Sequence, residues 1–302
     1  NALTGAALNG MGFSADPVFL MTRDKGLLMS QHPSIDNLNA VILKVTAPSG
    51  DVWFFDAADK TGCLNVLPSL FLVENARVVP RQGASEWADL SKLCRNQMLD
   101  TAKMEVSADG SIKGNRSEHG YNNWAATMKK AYFQYDDPEK FADNIESEDG
   151  IEIDSIEFQG HEDWNPEATL SYSFTSRAAV SGDYIYLKPY ISKYQDESDF
   201  QNPERKIPVE FAYPEVITYN AMITIPDGYT LESLPNLVSI ACPCTSGKVV
   251  AQCLFDGSRT VNVNFRFTCN NRLVVPERYG ELRSFWAELA NIYNSTIVLK
   301  KL

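Results

Sequence analysis

The chain has 302 residues, 44% of them hydrophobic, which is enough for about two packed cores. Its 27 basic and 39 acidic residues leave a net charge of −12 with no basic stripe, which excludes a phosphate backbone as partner. No run of about 18 apolar residues is present, which excludes a membrane-spanning helix in this chain.

Residues 1–11, NALTGAALNGM, read as the end of an apolar helix that stops at Gly12. Such a helix lacks its first turns and its N-cap, so the sequence reads as a piece of a longer protein. Three β-rich stretches follow, at residues 17–22, 41–46 and 52–55, each bounded by Gly, Pro or Asp clusters. The unbroken apolar run from Val52 to Phe55 implies a strand covered on both faces. Residues 67–79 lead out of this first unit. Residues 81–98, with Trp87, Leu90 and Leu93 in a polar background, form a connector that packs on it.

From residue 99 the period becomes that of antiparallel sheet. Leu170, Tyr172 and Phe174 alternate with serine; Tyr219, Ala221, Ile223 and Ile225 share one face; Val261, Val263, Phe265 and Phe267 alternate with Asn and Arg. Each pattern gives one buried and one wet face, as a β-sandwich requires. Short helices are predicted at 128–133 and 138–145, the second opened by Pro138. Leu282, Phe285, Trp286, Leu289 and Tyr293 follow helical spacing, which makes them a packing stripe before a last strand at 296–299. The expected organisation is a partial core over 1–80, the connector over 81–98 and a sandwich over 99–302.

Four segments taken in order, NALTGAALNGMG, FSADPVFLMTRDKG, NLNAVILKV and DVWFFDAAD, resemble the second half of a transglutaminase-like, papain-like catalytic core. In bacterial, Bacteroidetes-type proteins of this kind the counterparts are a helix ending in glycine, a strand ending in Thr-Arg-Asp-x-Gly, a strand opened by Asn-His and a strand ending in Asp-Ala-x-Asp. The stretches IPVEFAYPEVITYNAMITIPDGYTLESLP and YGELRSFWAELANIYNSTIVLKK resemble the carboxy-terminal domain of the same proteins. The resemblance implies an α+β chain: the C-terminal half of a transglutaminase-like core, followed by an antiparallel β-sandwich domain with a C-terminal helix.

That chemistry needs a thiolate at a helix N-terminus, an imidazole to take its proton and a carboxylate to orient the ring. The resemblance gives Asp56 the orienting place, whereas Ala40 stands where the family has its histidine. Asn39 and Trp53 are placed beside the cleft. The nucleophile counts back to a position before Asn1. Three histidines occur, His32, His119 and His161, and none has metal-ligand spacing with another or with a cysteine, so no metal is expected. The acidic stretch ESEDGIEID, taken with Gly150 as the loop glycine, puts Ile145 and Ser147 at ligand positions and is not an EF-hand. Of the six cysteines, Cys63, Cys94, Cys242, Cys244, Cys253 and Cys269, none heads a helix, and both a cross-strand disulfide and buried free thiols fit their spacing.

The resemblance implies a secreted, periplasmic or cell-surface protein that has lost its triad and holds a peptide, protein or glycopeptide ligand. An active cysteine protease, amidase or acyl transferase with its nucleophile upstream is the second expectation, and a rigid spacer between other domains the third. None requires a cofactor.

Overall fold

Helix α1 (Ala2–Gly10) stops where Gly12 adopts φ +91°, a left-handed conformation that glycine takes at little cost. The computed structural model describes residues 1–26, 28–31, 34–93, 96–135, 137–195 and 199–302, so the readings placed on His32 and Cys94 lie outside the described residues. Two compact units are formed. The first comprises residues 1–96, 120–133 and 160–168; the second comprises 97–119, 134–159 and 169–302. Segments 120–133 and 160–168, which the alternating pattern assigns to the sandwich, pack with the first unit.

In that unit α1 lies on a five-stranded antiparallel sheet of order β3-β2-β1-β4-β5, formed by β1 (Ser14–Leu20), β2 (Ala40–Thr46), β3 (Val52–Phe55), β4 (Ala76–Val78) and β5 (Glu86–Ala88). Pro17, predicted to open its strand, sits in the middle of β1, and β4 pairs only with Val18 and Phe19 beyond it. Ala15, Leu43, Val45 and Phe55 form a core cluster, with Leu8 of α1 and Trp53 packed against it. A Cβ on Gly5 would lie 3.2 Å from Leu43 Cδ2, a tight approach, so glycine here lets the helix lie on the sheet without displacing Leu43. The helix α2 (Asn123–Tyr132) belongs to the same unit and begins earlier than its apolar residues indicate.

The second unit is built on an eight-stranded sheet of order β15-β16-β17-β13-β6-β7-β9-β8. Its strands are β6 (Asn96–Val106), β7 (Ser111–Tyr121), β8 (Glu152–Gln159), β9 (Glu167–Arg177), β13 (Glu215–Thr224), β15 (Val238–Cys242), β16 (Gly247–Phe255) and β17 (Thr260–Cys269). A four-stranded sheet, β10-β11-β19-β14, joins β10 (Ala179–Ser181), β11 (Tyr184–Leu187), β14 (Tyr229–Ser233) and β19 (Ile297–Lys301), and β12 (Val209–Glu210) pairs with β18 (Leu273–Val274). The chain is thus mixed α+β, mostly antiparallel sheet, with a C-terminal helix α4 (Tyr279–Tyr293). Leu282, Phe285, Trp286, Leu289 and Tyr293 of α4 are all buried. Helix α3 (Pro138–Asp149) runs past its predicted end and stops at Gly150, φ +67°. That glycine caps a helix rather than turning a cation loop.

The alternating pattern does not disclose a buried charge cluster within this unit. Arg116 of β7 has a side chain 1% exposed and donates to Asp100 at 2.7 Å, Glu118 at 2.8 Å, Asp149 at 3.0 Å and the Tyr172 hydroxyl at 2.8 Å. Tyr194 donates to Asp100 as well. Three carboxylates share one guanidinium, so they cannot all be compensated. Burial pushes the Glu118 carboxyl up to about 7, the nearby Asp100 and Asp149 charges reinforce the rise, and Arg116 opposes it. Burial raises Asp149 too.

The folded state therefore holds a proton that the unfolded chain releases near pH 4.5, and stability falls as pH rises from there through about 7. Chemical denaturation should show the protein less stable at pH 8 than at pH 5, by on the order of 3 kcal/mol from this group. Glu118→Gln should flatten that slope; an unchanged slope would show that another group sets it.

Candidate functional site

Three element ends meet in the first unit, and one amide side chain holds them. Asn1 precedes α1 without capping it through its side chain, and donates through Nδ2 to Asp56 Oδ1 at 2.8 Å and to the Val41 carbonyl at 2.9 Å. Its Oδ1 accepts from the Ala57 N–H at 2.8 Å. The amino end of α1 is thereby tied to the start of β2 and to the residues that follow β3. Asp56 ends an apolar strand whose polar partners must come from outside the ladder, and its Oδ1 also accepts from the Ala58 N–H at 3.0 Å.

Ala40 is the first residue of β2 and pairs with Leu20 of β1. Its methyl carries neither lone pair nor proton, so nothing at this position can exchange a proton with a neighbour. Among the described residues no imidazole bonds Asp56. Asn39 extends the β1–β2 pairing by one step: its Oδ1 accepts from the Thr22 N–H at 2.9 Å, and its Nδ2 donates to Thr22 Oγ1 at 2.8 Å. Trp53 is half-buried against the core of Leu43, Val45 and Phe55. Asn1 thus links Asp56 to Val41, the residue after Ala40, whereas Asn39 grips Thr22 and Trp53 packs on the core.

The arrangement cannot run triad chemistry with these residues alone, because an amide such as Asn1 does not titrate near neutrality.

A buried lysine in the same unit has no signature in the sequence. Lys129, 1% exposed, lies on α2 among alanines and donates to the carbonyls of Asp163 and Asn165 at 2.8 Å each. Its Nζ also lies 3.5 Å from Cys63 Sγ. Burial raises the Cys63 thiol, and the lysine charge only partly offsets that rise. A fully buried, mostly protonated thiol is a packing group, not a nucleophile. His161 lies against the Tyr132 ring, with centroids 4.9 Å apart, and its Nε2 is 3.8 Å from Glu162.

Cys63, Cys242, Cys244, Cys253 and Cys269 are buried free thiols. The sulfurs of Cys242 and Cys244 stand 3.2 Å apart, too far for a bond. Burial pushes Cys244 up to about 12 and Cys253 up to about 11. Among the described residues no group of three or more His, Cys, Asp or Glu side chains is arranged to hold a metal ion. No described helix is long and apolar enough to cross a membrane.

Residues 183–299 match DUF3858, a domain family of unknown function with a solved structure. No curated protein matches the chain. Among solved structures, a crystal structure from Parabacteroides distasonis ATCC 8503, of a protein provisionally named a protease, superposes with a TM-score of 0.57 at 15% identity. The superposition covers 99% of this chain and 42% of that one, so the chain spans less than half the length of its structural neighbour. At this identity the likeness is one of fold.

Removing the Lys129 ammonium would leave the carbonyls of Asp163 and Asn165 without their donor. Lys129→Met, which keeps the apolar stem, should cost roughly 3 kcal/mol in urea denaturation. A loss below about 1 kcal/mol would mean that water replaces the ammonium.

Proposed function

We propose that the first unit is the C-terminal half of a transglutaminase-like core whose triad is degenerate. In this reading it serves as a peptide- or glycopeptide-binding scaffold of a secreted or cell-surface protein. The observation that carries the reading is the pairing of Asp56 with Asn1 beside an alanine at position 40. A papain-like core uses a helix N-terminus, the start of one strand and the end of the next as its three catalytic stations. Here Asn1 joins the residues at the start of β2 and after β3, which is compatible with such an arrangement. The fold likeness to a provisionally named protease is compatible with such an origin.

Chemistry explains why binding is the favoured role. Positioned acid–base catalysis contributes roughly 10²- to 10⁴-fold, and without an imidazole a thiol must rely on a lowered pKa alone. Asp56 then becomes a clamp on the helix end rather than a partner of a base. The sheet and helix of this unit are held by packing rather than by the triad, so they outlast the loss of its proton acceptor.

The test uses the protein carrying its native upstream residues. Treatment with a thiol-reactive epoxide should give no stoichiometric label, and incubation with glutamine-containing peptides and an amine should give neither cleavage nor amine incorporation. Saturable binding of such peptides or glycopeptides should persist. Labelling of a single cysteine together with turnover would overturn the reading in favour of an active acyl transferase or protease.

A further inference from the structure

The outer face of the eight-stranded sheet displays hydrogen-bonding groups that the protein itself does not use. The side-chain amides of Asn115, Asn220, Asn262 and Asn264 stand on β7, β13 and β17, and among the described residues none of these amides has a hydrogen-bond partner. They line a trough of about 950 Å³. Register places Asn220 opposite Asn264 and Met222 opposite Asn262, so amides of two neighbouring strands stand side by side. Farther along the trough the hydroxyls of Ser117 and Ser171 meet at 2.9 Å. Six adjacent strands, β17 to β8, contribute to the lining, a span of about 24 Å at the usual strand spacing of about 4.8 Å.

Asparagine is disfavoured in strands, and a solvated face is served better by threonine or valine. Four asparagines mid-strand around one hollow break that local preference without any bond inside the protein in return. Such departures are expected at functional sites.

We propose that this trough binds a neutral, polyhydroxylated chain, a glycan segment lying across the strands, with the four asparagine amides as its main contacts. Each amide offers two donors and an acceptor in one plane, a set that matches neighbouring hydroxyl groups. Charge selects the class of ligand. The charged side chains of the lining, Lys103 and Glu157, are of opposite sign, and the Arg116 guanidinium is turned inward. The net charge of −12 repels polyanions, and the lining itself carries no excess charge with which to bind a cation. A peptide is the weaker fit to these amides, because strand addition needs a sheet edge, and of the lining strands only β8 is one, whereas the asparagine-bearing β17, β13 and β7 are flanked on both sides. The site lies wholly in the second unit and does not depend on the Asp56 reading.

The full chain is titrated with neutral gluco-, xylo- and manno-oligosaccharides, and separately with an uncharged extended peptide, while the asparagine side-chain NH₂ resonances are followed by NMR. At least one oligosaccharide should saturate in the millimolar range or below, and move those resonances. Asn220→Ala combined with Asn264→Ala should weaken it by roughly tenfold or more. The Asn220→Thr, Asn264→Thr pair, which restores strand-forming residues and so protects the fold, should weaken it likewise. The proposal is overturned if no oligosaccharide saturates by roughly 10 mM. Unchanged binding in the threonine pair overturns it too, as does a peptide that takes the same amides instead.

Discussion

Asn1 holds the amino end of α1 against the start of β2 and the end of β3 through three hydrogen bonds, and an amide makes those bonds at any pH the protein meets. Remove the amide and, among the described residues, Asp56 keeps the Ala58 N–H alone, while the Val41 carbonyl loses this donor. The glycine at position 5 serves the same junction by letting α1 lie close over Leu43. Everything proposed for the first unit rests on this junction, because it decides which side chains share a neighbourhood.

The two units treat polar groups differently. In the first, Asn1, Asn39 and Lys129 are fully engaged with backbone carbonyls, N–H groups and side chains, so they fix geometry and leave little for a ligand. In the second, the buried Arg116 cluster is likewise internal, with an excess of carboxylate that couples stability to pH. The outer sheet face is the exception. Asn115, Asn262 and Asn264 are exposed there and Asn220 is half-buried, and an unused donor at a concave surface is available to a partner in a way that a satisfied one is not.

Much of the architecture is legible in the sequence because period and punctuation carry it. The stripe of Leu282, Phe285, Trp286, Leu289 and Tyr293 and the alternation of Val261 to Phe267 each reflect a single buried face. Helix α3 extends to Asp149 because Gly150 supplies the left-handed stop, a signal that acidic residues around it obscure. The packing of 120–133 and 160–168 with the first unit is not legible: Lys129 ties the two segments to each other, while Asn123 reaches the Leu67 carbonyl and Trp164 meets Phe55, and a lysine in a helix ordinarily reads as solvent-facing. Asp100 and Arg116 escape for a related reason, since a charged residue at an inward strand position breaks the pattern by which inward positions are recognised. The site is half legible. Asp56 and position 40 follow from segment order, whereas the part played by Asn1 emerges only in three dimensions.

The most direct measurement places an imidazole where the junction lacks one. In Ala40→His, the account predicts that the ring titrates above its ordinary value near 6.5, held protonated by the Asp56 carboxylate. That rise should vanish when Asp56→Asn is added. An imidazole that titrates at its ordinary value, and does so whether residue 56 is Asp or Asn, would contradict the account.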